Sequence, residues 1–151
     1  MKKHILFFLL AGLAFPACQQ SRGLAPAPET IFDDRGLHVI TSFHNERSGT
    51  ISVLYGNDGA LANAGKEARA HMAGEVFKLV TWTLKGNPLW FGGNINGSLV
   101  SEETVAVQPG GQGVPGIAYT LEQHNGTAKN APASEAERIS FIFAQRASVF
   151  P

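Results

Sequence analysis

Few side chains of this chain are of types that could do chemistry. His38, His44, His71 and His124 could each hold a metal or move a proton. His38 and His44 share one face of a strand-like run. They are six residues apart, ~20 Å along an extended strand, too far for one ion unless the strand bends. His71 and Met72 are a soft ligand pair by type, but neighbours on a helix point in different directions, which suits a loop boundary better. Lys78 sits among Val76, Val80 and Trp82. Buried there its amine would become nucleophilic, whereas at a sheet edge its stem would carry the ammonium out to water. Trp82, Trp90 and Phe91 are the residues to line an apolar ligand pocket, or else core. Glu102 and Glu103 are adjacent, so on a strand they point to opposite faces and make a poor acid–base couple. No G-x-S-x-G, phosphate-cradling loop or H-E-x-x-H is present. The residues lean away from an enzyme.

The elements that must position these side chains follow from periodicity. Residues 36–44, GLHVITSFH, alternate as a strand, with Leu37, Val39, Thr41 and Phe43 on one face and His38, Ile40, Ser42 and His44 on the other. Residues 46–49 read as a turn, and Thr50 to Tyr55 as the second arm of a hairpin. Asn57 or Asp58 can cap a helix whose narrow stripe is Ala60, Leu61, Ala64 and Ala68, closed by Gly74. Lys66 and Arg69 would then lie near its C-terminal end and suit its dipole. Glu75 to Lys85, EVFKLVTWTLK, is apolar on both faces, the mark of a central strand covered on both sides. Gly92-Gly93-Asn94 and Asn96-Gly97 suggest a bent loop. Ser98 to Val107 and Ile117 to Gln123 read as strands, with an exposed loop at 109–116 between them. Ser134 and Glu137 have the spacing of a capping box ahead of Ile139, Ile142 and Phe143. The expected fold is α+β: a mostly antiparallel sheet of about five strands with two flanking helices.

The N-terminus predicts an address. Lys2, Lys3 and His4 precede an uncharged run to Phe15, which reads as a secretory signal peptide, too short to span a bilayer. Phe15-Pro16-Ala17-Cys18 then resembles the bacterial lipobox, although leucine is usual where Phe15 stands. Residues 1–17 would be the signal, Cys18 the lipidated residue, and 18–30 a flexible tether whose Ala-Pro pairs favour extended backbone. A diacylated cysteine, carrying palmitate-type chains, gives a durable hold on a bilayer where a single chain does not. The expected location is therefore the periplasm or outer membrane of a bacterium, with the lipid bilayer as a partner. Cys18 is the sole cysteine, so packing and not disulfides must hold the folded part together. Basic and acidic side chains number 12 each without a basic tract, which argues against nucleic acid as a partner.

The order of pieces from Gly36 to Pro151 is similar to the cytochrome P-460 family. It comprises "VLYGND" leading into a small-residue helix, then "GEVFKLVTW", "NPLWFGGNINGSLVSEETV" and a last short helix ending in an apolar-Pro tail. The resemblance implies a large antiparallel sheet with helices in a periplasmic protein, and assigns residues 31–151 to one such domain. Members of the family carry haem on a C-x-x-C-H motif, where two thiols bond the porphyrin and the histidine ligates iron. The corresponding stretch here, 126–134, has neither cysteine nor histidine, so covalent haem is excluded. The resemblance makes His124, just upstream, the candidate axial ligand for a noncovalent haem with hydroxylamine or nitric oxide chemistry. The leading expectation is instead a lipoprotein with a ligand-binding or non-catalytic domain, for which Lys78, Trp82, Trp90 and Phe91 are the candidate contacts to a small hydrophobic molecule. A structural envelope protein that binds another protein is the third reading.

Overall fold

The computed structural model describes residues 32–67, 70–87, 91–111, 114–124 and 134–148. Cys18, Trp90 and most of the 126–134 stretch lie outside them. The elements in chain order are β1 (His38–Asn45), β2 (Thr50–Gly56), α1 (Asp58–Asn63), β3 (Val76–Gly86), β4 (Asn94–Gln108), β5 (Gly116–Gln123) and α2 (Glu135–Phe143). The fold is α+β, as expected. The five strands form one antiparallel sheet in the order β1-β2-β3-β4-β5, each paired with its neighbour in sequence.

Local chemistry accounts for each connection. In the β1–β2 turn, Asn45 Oδ1 accepts from the main-chain N–H groups of Arg47 and Ser48, and Gly49 takes φ 63°. Asn57 caps α1 by accepting from Ala60 N, accepts also from Val76 N, and donates to Gly74 O. One side chain thus starts the helix and closes the loop behind it. At Gly56 a Cβ would stand 2.7 Å from Ile40 Cδ1 and 2.8 Å from Ala60 Cβ, so only glycine lets α1 lie this close to the sheet. Ser134 and Glu137 form the reciprocal capping box at the start of α2, and the backbone bond from Ser134 draws the Glu137 carboxyl below its ordinary range.

Three expectations need correction. The first helix ends at Asn63 and does not run on toward Gly74, because Ala64 leaves helical geometry (ψ 130°) and Gly65 takes φ 79°. Lys66 therefore lies beyond the helix, and its ammonium bonds the Asn63 side chain. Residues 94–97 belong to β4, not to a loop. The ladder to β3 absorbs the bend through register shifts around Trp82. A further shift between Val39 and Thr41 breaks the alternation of β1. Ile40 consequently joins the buried core, and its carbonyl accepts from Ser148 N (2.8 Å) in the segment after α2. The same shift sends His38 to the α1 side, where Nε2 meets Asp58 (2.7 Å), while His44 lies opposite Ile51 across β2.

The core lies between the sheet and the two helices. Ile40, Leu54, Phe77, Leu79, Val105 and Val107 from the strands meet Ala60 of α1 and Ile142 and Phe143 of α2. Full burial of side chains this size is worth about 1.5–3 kcal/mol each, which is the interaction that fixes the helices to one face. β3 is the middle strand, and its opposite face is also dry at Val80 and Trp82.

Candidate functional site

The strand registers gather the candidate residues on the face of the sheet away from the helices. Tyr55 of β2 stands opposite Lys78 of β3, Lys78 opposite Thr104 of β4, Val80 opposite Glu102, and Glu102 opposite Glu122 of β5. The Lys78 ammonium pairs with Glu102 Oε2 at 2.5 Å. His124, just past β5, brings Nε2 to 3.3 Å from Glu102 Oε1. Two residues singled out from sequence, 46 positions apart, thus converge on one carboxylate. Lys78 is neither at a sheet edge nor deeply buried. It lies mid-sheet, its side chain about a quarter exposed, and it is ion-paired.

An aromatic group adjoins the charges. Phe32 lies 4.9 Å from the Tyr55 ring and 5.9 Å, edge-on, from Trp82. Lys78 Nζ sits 5.5 Å from the Phe32 ring centroid, within cation–π range. Burial, and then the nearby Asp34 charge, raises the Tyr55 hydroxyl above its ordinary range. Trp82 is almost fully buried, whereas Phe91 is fully exposed and makes no ring contact with this group among the described residues. The site as built therefore consists of Phe32, Tyr55, Lys78, Trp82, Glu102, Glu122 and His124. Of these the sequence reading lacked Phe32, Tyr55 and Glu122, and it dismissed Glu102 as half of a poor couple. Alternation placed Glu102 and Lys78 on definite faces, but no local signal links strands whose register is set by non-local pairing.

The fit to haem can be tested on these residues. An axial histidine needs a free ring nitrogen, and His124 turns Nε2 toward Glu102. Iron ligation through that atom would first have to break this contact, and the thiols for covalent attachment are absent. The residues present do not fit a covalently attached haem, and a noncovalent one would have to compete with Glu102 for His124 Nε2.

The helix-covered face holds two further polar groups. Glu103 accepts from Arg138 Nε and Nη2, both at 2.7 Å, and from the Tyr119 hydroxyl at 2.9 Å. Burial, together with the Glu103 carboxylate beside it, pushes the Tyr119 hydroxyl up to about 12. The bonds to Glu103 likewise raise the Arg138 guanidinium. His71 is fully buried against Phe77 and stacks on Phe143 (4.1 Å). Glu75 accepts from His71 Nδ1 (2.6 Å), Met72 N (2.9 Å) and the Asn63 amide. His71 Nε2, on the other side of the ring, has no hydrogen-bond partner among the described residues. His71 is thus a core residue in the loop before β3, and the His71–Met72 pair is no ligand couple, since Met72 is exposed.

No family model matches this chain, and no curated protein matches it. Among the described residues no helix is long and apolar enough to cross a membrane.

Proposed function

We propose that the chain is a cell-envelope lipoprotein, tethered through Cys18, whose cytochrome P-460-like domain acts without covalent haem as a non-catalytic module that binds a small apolar ligand on the outer sheet face. The observation that carries this reading is the aromatic group of Phe32, Tyr55 and Trp82 set beside the Lys78–Glu102–His124 charges. An apolar surface with a few convergent polar groups is the usual make-up of a small-molecule site. Lys78 suits a ligand that carries an anionic group at one end.

The test uses the full chain in detergent with anilinonaphthalene sulfonate, a flat apolar anion, as probe. Saturable fluorescence enhancement that weakens in Lys78→Met supports the reading. No saturable change at micromolar probe, or one indifferent to Lys78, overturns it. A parallel titration with haemin tests the noncovalent alternative: a sharp Soret band lost in His124→Ala would replace the proposed function with haem binding. Fractionation of Cys18→Ala cells tests the tether, because a variant that stays with the membranes like wild type is not lipid-anchored there.

A further inference from the structure

Glu102 and Glu122 face one another directly across β4 and β5. Two like charges set opposite on one sheet face repel, and a pair so placed costs stability unless a cation intervenes. Lys78 addresses only one oxygen of the pair, Glu102 Oε2. Glu102 Oε1 points the other way, toward His124. Glu122 has no hydrogen-bond or ion-pair partner among the described residues. One potential ligand atom from each of Glu102, Glu122 and His124 lies within 4.8 Å of the others. An ion bound through contacts of 2.0–2.2 Å needs its ligand atoms about 3.4 Å apart, within about 1.5 Å of the spacing these side chains already have. Adjacent β-strands hold the two carboxylates, and the main chain of His124 is pinned by its N–H to Val100 O (2.9 Å).

We infer that Glu102, Glu122 and His124 form a binding site for a divalent first-row transition-metal ion, with zinc the expected occupant. One imidazole with two carboxylates is the donor set that zinc and copper accept and that magnesium or calcium, which take oxygen only, do not favour. The three ligands leave a coordination position open to water or to a ligand from outside. Lys78 sits on the far oxygen of Glu102 as an opposing charge and moderates the affinity. This site uses the acidic end of the cluster and shares Glu102 and His124 with the proposed function, and Lys78 acts on the two kinds of ligand with opposite sign.

Zinc is titrated into the full, metal-stripped chain by calorimetry, with magnesium as control. The expected result is one zinc per chain and little response to magnesium. His124→Ala and Glu122→Gln should each weaken zinc by at least about tenfold, the loss that even an outer-shell partner's removal brings. Lys78→Met should tighten it about fivefold, the measure of an exposed ion pair worth roughly 1 kcal/mol. Far-UV circular dichroism confirms that each variant keeps its sheet. No saturable binding, or zinc binding that His124→Ala and Glu122→Gln leave unchanged, overturns the inference. Because Lys78→Met is expected to weaken the sulfonate probe and to tighten zinc, failure of either idea is visible without the other.

Discussion

Glu102 and Glu103 are adjacent in sequence, yet the two faces of the sheet use them in opposite ways. Glu103 faces α2 and is saturated, with a two-pronged grip from Arg138 and the Tyr119 hydroxyl on its remaining capacity. Glu102 faces away from the helices and is contested by one ammonium, one imidazole and a second carboxylate across the ladder. The first arrangement satisfies every charge and ties an element 35 residues distant to the sheet. The second leaves charge uncompensated where solvent and ligands can reach it. A buried carboxylate must be fully partnered or it costs several kcal/mol, while the exposed Glu122 beside Glu102 can stay unpaired and so remain available for binding.

That contrast can be broken first at Arg138. Arg138→Ala strands the Glu103 carboxylate in the interior and should cost about 3 kcal/mol, the lower end for a broken buried pair because Arg138 is itself partly exposed. Urea unfolding followed by circular dichroism measures it, and a loss under about 1 kcal/mol would place Glu103 in the same class as Glu102.

Alkaline pH strains the same face. The Tyr119 hydroxyl, held at about 12, is raised above the unfolded value near 10. The folded state therefore binds the proton more tightly, and its contribution to stability is full below about pH 10 and is lost as pH climbs toward 12. Absorbance of ionised tyrosine should show a step near pH 12 that Tyr119→Phe removes. A single step at ordinary pH would mean that the bond to Glu103 does not hold in solution.

The smallest effect is expected on the outer face. Lys78→Met should change stability by under about 1 kcal/mol, since the pair it breaks is partly solvated. A loss as large as that of Arg138→Ala would mean that the outer cluster is structural and not a binding surface.

Much of the fold could be read before the structure. The strand periods, the turn at 46–49 and the caps at Asn57 and Ser134 rest on contacts within a few residues, and the central place of β3 showed in the apolar character of both its faces. The misreadings sit where distant groups intervene. Ile40 and Phe43 share the core face, against the alternation, because the ladder slips between Val39 and Thr41. His71 does sit in a boundary loop as its sequence suggests, but its enclosure by Glu75, Phe77 and Phe143 had no local signal.

By itself, then, the sequence determined the order of strands and helices, though not where the first helix ends or β4 begins, and that Glu102 and Glu103 must part company, because alternation and capping are local geometry. Only the tertiary structure decided that Arg138 closes on one glutamate while Lys78, Glu122 and His124 gather round the other. Those meetings depend on strand register and helix docking, and both are set by burial of the whole apolar face at once, not by any short stretch of chain.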